Sequence, residues 1–155
     1  MVQILCGLPG GVRFAVVGFM TLSHPLSFVI AVVNSNDDLV ALLKEALERD
    51  GYSVVTGHIH DFRLGPRDFG SFLRAHKPAA VIYDIAIPYD ENWEYLQTLL
   101  TLPEAQQTSF VVTTVNLRAL TDRVGPTEAI EIQGGHADDL DSVVDAIHRI
   151  VRPPT

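Results

Sequence analysis

The sequence predicts an α/β domain built on a doubly wound parallel sheet of five strands, and three observations lead there. Five short apolar runs recur along the chain, at 28–33, 52–56, 79–83, 110–114 and 129–132. Segments whose apolar residues fall at helical spacing alternate with them. Several of the runs are apolar at every position, as strands buried on both faces require. Strand–helix alternation of this kind closes as a parallel sheet with helices on either side.

The elements follow in order. The run FVIAVV at 28–33 ends at Asn34, Ser35 and Asn36, and Asp37 and Asp38 then read as capping acids at the positive end of a helix. Leu39, Leu42, Leu43, Ala46 and Leu47 mark its apolar stripe, which Asp50 and Gly51 close. After the second strand and Gly57, a polar loop is expected as far as Pro66, and Phe69, Phe72 and Leu73 begin a second helix that stops near Lys77. The third strand runs into Asp84, with Pro88 forbidding a long continuation. Trp93, Leu96, Leu99 and Leu100 form a third helix and Leu117, Leu120 and Val124 a short fourth, on either side of the strand at 110–114. A half-polar fifth strand at 129–132 suits a sheet edge. Leu140, Val143, Val144, Ile147 and Ile150 line the last helix, whose negative end carries His148, Arg149 and Arg152.

Composition narrows the function. The 155 residues fit one domain with a proper core, and 19 acidic against 11 basic residues oppose a nucleic-acid footprint. Cys6 is the only cysteine, so no intrachain disulfide forms and a cytoplasmic location is expected. Residues 1–26 differ from the rest. The PGG turn and Arg13 interrupt their apolar runs, which makes a poor signal peptide and too short a membrane span. They read as a poorly docked extension or a start placed too early, with Met20 just before the first strand. An added packed element and an export role are the alternatives. The folded domain is expected over 27–152, with 153–155 as a tail.

Asp84 is the residue around which a site is expected. A charge at the end of a buried strand is costly unless it emerges at the sheet edge, where open α/β sheets bind their ligands. The plainer alternative is an Asp that ends a strand and caps a turn. No glycine-rich dinucleotide fingerprint follows the first strand and no Gly-Lys-Ser/Thr loop occurs.

The segment LVALLKEALERDGYSV, the turn Asp84-Ile85-Ala86-Ile87-Pro88 and the run FVVTT resemble the receiver domain of bacterial response regulators, over about four-fifths of the chain. The resemblance implies a flavodoxin-like (βα)5 fold that accepts a phosphoryl group on Asp84, with Thr113 as the switch hydroxyl. It also implies protein partners, a histidine kinase or another signalling protein, and it admits a homodimer.

Two departures from the family are expected to matter. The acidic pair that holds Mg²⁺ in receivers falls on Asn34 and Ser35, both neutral. The lysine after the fifth strand is missing, since no lysine follows Lys77. His136 takes its place in the best alignment, with Gln133 as runner-up. Phosphoryl transfer between two anions depends on positive charge near the equatorial oxygens. Mg²⁺ binding is therefore expected to be weakened, and a histidine supplies charge only when protonated.

The resulting expectation is a stand-alone, atypical receiver-like signalling module that acts through protein contacts, without enzymatic activity. The alternative is a flavodoxin-like module binding a small molecule or cofactor through Asn34, Ser35, the 58–61 segment, Gly134 and Gly135. His58, His60 and Asp61, with Asp84, form a weak set of transition-metal ligands. Trp93 reads as core in preference to a partner anchor, and Gly134-Gly135 as a turn in preference to a close approach to a ligand.

Overall fold

The computed structural model describes residues 27–125 and 131–151. Strands β1 (Val29–Asn34), β2 (Ser53–His58), β3 (Ala80–Asp84), β4 (Ser109–Thr114) and β5 (Glu131–Gly134) form one parallel sheet in the order β2-β1-β3-β4-β5. Helices α1 (Asp37–Arg49), α2 (Ile59–Arg63), α3 (Phe69–His76), α4 (Tyr89–Leu100), α5 (Leu117–Val124) and α6 (Leu140–Val151) flank it. This is the doubly wound order, in which the strand order reverses between β1 and β3, so a crevice opens at their carboxyl ends. The expectations for 1–26 and for the 153–155 tail lie outside the described residues.

Two elements differ from expectation. The polar segment after β2 is not a loop as far as Pro66, because it begins with helix α2. Gly57 makes this turn feasible: a Cβ there would lie 2.5 Å from Cε2 of Phe62, so only glycine lets that ring tuck in under the end of the strand. Phe62 then packs against Phe69 and Phe72, with centroids 5.2 and 5.1 Å away, and holds α2 against α3. The fifth strand, described as Glu131–Gly134, runs two residues past the end that the apolar pattern suggested, and the expected residues 129 and 130 lie outside the described residues. Pairing with β4 sets its position through backbone groups, which Gln133 and Gly134 supply as well as apolar residues do.

The core has two halves, one on each face of the sheet. Ala31, Val33, Val81, Tyr83 and Val112 face α3 and α4, while Ile30, Val32, Ile82 and Val111 face α1 and α6. Strand alternation dictates that division. Leu47 is fully buried on the second face, so truncating it to alanine would cost about 2–5 kcal/mol. Trp93 is half-buried against the first face, in line with its reading as core.

Candidate functional site

The site is built at the carboxyl end of β3. Its five residues are all buried, and β1 and β4 pair with it on either side. Asp84 lies opposite Thr113 in the ladder, and the amide of Ile85 donates to the Thr113 carbonyl at 2.8 Å. Ile85, fully buried, anchors the next step of the chain. Asp84 is held just inside the sheet edge, only 8% exposed. The Thr113 hydroxyl donates to its Oδ1 at 2.8 Å. Burial pushes the Asp84 carboxyl above the ordinary carboxylate range, and the Thr113 hydrogen bond offsets part of that.

The end of β1 provides amide and hydroxyl groups where the resemblance leads one to look for acids. Asn34 is buried, one position beyond the Val33–Tyr83 pair, and its Oδ1 accepts from the amide of Asn36 at 2.8 Å. Ser35 is exposed and lines the cleft beside Asp84. The cap of α1 is Asn36, whose side chain accepts from the amides of Asp38 and Leu39. Asp37 and Asp38 are therefore exposed first-turn acids and not the cap itself.

The end of β5 completes the row. Thr113 pairs with Gln133, so one line across three strands joins Asp84, Thr113 and Gln133. His136 comes three residues later, exposed, with Nδ1 3.5 Å from Oδ2 of Asp139. It borders a gap of about 10 Å³ shared with Asn34, Thr113, Gly134 and Gly135, room for one water at most. Gly134 and Gly135 are close approaches, but to protein: a Cβ on Gly135 would lie 3.1 Å from the Thr114 backbone, and one on Gly134 2.3 Å from Asp139 Oδ2.

On the other side of Asp84 a cleft of about 450 Å³ opens, bordered by Ser35, His60, Arg63, Glu91 and Asn92. Arg63 and Asn92 were not legible as site residues, because the segment carrying Arg63 reads as loop. Arg63 donates to Asn92 Oδ1, lies 3.9 Å from Glu91 Oε2, and rests 5.4 Å over the Tyr95 ring. The Asn92 amide in turn donates to the Ala86 carbonyl at 2.8 Å.

The expected metal ligands are not gathered. The chain turns at His58, whose Nδ1 accepts from the amide of His60 at 3.2 Å and caps α2. Among the described residues no group of three or more His, Cys, Asp or Glu could hold an ion. Around Asp84 the oxygens suited to a hard cation are few: the Asn34 amide oxygen already accepts from Asn36 and the Ala86 carbonyl from Asn92, and the other carboxylate bordering the cleft is the exposed Glu91.

No protein-family model matches the sequence, and no curated protein matches it as a relative. Solved structures do match. A response regulator signal receiver domain from Bermanella marisrubri superposes with a TM-score of 0.61 at 23% identity, over 81% of this chain and 99% of that one. The fold is that of a receiver domain. The chemotaxis response regulator CheY4 of Vibrio cholerae matches at 0.59 and 13% identity, over 80% of this chain and 98% of its own. A response regulator from Thermotoga maritima matches at 0.59 and 18%, over 81% and 98%. The receiver fold spans the described domain, and among the described residues no helix is long and apolar enough to cross a membrane.

Proposed function

We propose that this chain is an atypical receiver-like signalling module that works through protein contacts and does not require Mg²⁺-dependent phosphorylation of Asp84. The receiver fold supports the signalling reading. One observation carries the atypical part: Asp84 is buried, bonded to Thr113, and flanked at the end of β1 by Asn34 and Ser35 where the family has acids. Phosphoryl transfer to a carboxylate needs neutralising cations, and here the end of β1 supplies no carboxylate to hold a metal and no lysine follows Lys77. The partner is a protein, a histidine kinase or another component of a two-component system.

The small-molecule alternative needed Asn34, Ser35, the 58–61 segment and the paired glycines around one cavity. Asn34 and the glycines border the small gap, whereas Ser35 and His60 border the larger cleft. Incubation with acetyl phosphate and Mg²⁺, followed by intact mass, tests the proposal. Unmodified protein is expected. A phosphate adduct that Asp84→Ala abolishes would sink the phosphate-independent reading.

A further inference from the structure

We infer that β2 is a self-association edge, where a second copy of this chain adds its own β2 antiparallel to make one continuous sheet. The inference goes beyond the signalling reading and does not rest on it, since an open strand edge recruits a strand whatever the domain signals.

β2 ends the sheet on one side, and among the described residues nothing pairs with its outer edge. The Ser53 amide donates to the Phe28 carbonyl at 2.9 Å, which sets the alternation along the strand. Ser53, Val55 and Gly57 turn their backbone groups to β1, so Val54 and Thr56 turn theirs outward. Folded proteins blunt such an edge with charge, proline, a bulge or a short strand. β2 uses none of these: its six residues, SVVTGH, include no Asp, Glu, Lys, Arg or Pro, and their register with β1 is unbroken. The opposite edge differs, since β5 has only four residues and begins with Glu131.

The occupant is a second copy because the edge is complementary to itself. A two-fold axis at Val55 sets Val54 of one copy opposite Thr56 of the other, and each such pair exchanges both of its backbone bonds. Val55 then meets its own symmetry mate at the closer, non-hydrogen-bonded spacing. Both valines are only half-buried, Val54 on the α1 face and Val55 on the α3 face, so an added strand covers apolar surface on each. Ser53 and Thr56 are exposed, which leaves the approach open.

Charge does not oppose this pairing. The whole chain carries a net charge of −8, which disfavours self-association in general. Beside β2 the charges balance: on α1, Lys44 pairs with Glu48 and Arg49 with Glu45. One strand pair with its flanking helices lies at or below the area of about 1,200 Å² that stable complexes bury, so the dimer is weak and depends on concentration.

The test is sedimentation velocity of the full chain from micromolar to millimolar concentration, with amide hydrogen exchange at both extremes. A monomer–dimer equilibrium is expected, and the Val54 and Thr56 amides should gain protection only at high concentration. Thr56→Pro removes an outward donor that the monomer does not use, and Thr56→Lys puts a charge on the edge. Either should weaken dimerisation about tenfold or more, because the two-fold axis applies each change twice, whereas Thr56→Ser should leave it unaltered. Thermal melts check folding, and Thr56→Lys carries the test should the proline variant unfold. A chain still monomeric at millimolar concentration, a dimer that folded variants leave intact, or protection gained elsewhere would overturn the inference. Protection of Val54 and Thr56 at every concentration would overturn it too, since a stretch of the same chain would then hold the edge.

Discussion

The Thr113 hydroxyl donates to Asp84 Oδ1 at 2.8 Å, and the same two residues are register partners across β3 and β4. The side-chain bond is thus set by the backbone ladder and needs no loop to position it. With both residues nearly sealed from water, the bond forms in a setting where losing it leaves a carboxyl unpaired.

Thr113→Val keeps the shape and removes the donor. Near neutral pH, urea unfolding should show a loss of about 1–3 kcal/mol. The loss should shrink in acid, where a protonated carboxyl depends less on a donor. An unchanged midpoint at neutral pH would mean that Asp84 finds another partner.

Asp84→Asn should stabilise the protein near neutral pH by about 0.5–2 kcal/mol, since it removes a buried charge and keeps an acceptor for Thr113. Burial raises the Asp84 carboxyl in the folded state, so the native protein binds a proton that the unfolded chain has released. Stability of the parent therefore falls as pH rises from the ordinary carboxylate value, about 4, to the raised folded value, and is level above it. Thermal melts across that window should show the gap between variant and parent widening with pH and then holding constant. A gap independent of pH would contradict the buried carboxyl as its source.

Asn34→Asp with Ser35→Asp places carboxylates at the end of β1 beside Asp84. Without metal the double variant should melt below the parent, because like charges crowd a partly buried site. Mg²⁺ should raise its melting temperature, by the equivalent of about 2.7 kcal/mol at a hundredfold excess over its dissociation constant. The parent should be insensitive to Mg²⁺. A matching Mg²⁺ response in the parent would show that the native donors suffice.

At the opposite end of the sheet, the Tyr52 hydroxyl and His148 Nδ1 are 2.9 Å apart, and His148 Nε2 is 2.8 Å from Asp50 Oδ2. The imidazole joins the end of α1 and the approach to β2 to the last turn of α6. His148→Ala should cost about 1–3 kcal/mol and Tyr52→Phe about 1 kcal/mol, with the double variant less than additive. Chemical denaturation reads this directly.

Much of the fold was legible in the sequence. Runs such as Val29–Asn34 and Ala80–Asp84 carry their strand identity locally, since a chain apolar at successive positions must be buried on both faces. Asp84 stood out for the same reason, as one charge at the end of such a run. Its distance in sequence from Thr113 matched the family, and the ladder pairs the two.

What the tertiary structure alone decided is the company Asp84 keeps. Arg63 and Asn92 are 29 residues apart and meet because Phe62 tucks in under Gly57, turning a polar segment that reads as loop into α2. The end of α6 reads as a favourable place for His148 beside a helix dipole, yet the imidazole bridges Tyr52 and Asp50. The row through Asp84 and Thr113 reaches Gln133, while His136 pairs with Asp139 outside it. Local hydrophobic pattern specifies which face of an element is buried. Which polar groups share a cleft depends on how far apart in the chain the packed elements are, and no local pattern records that.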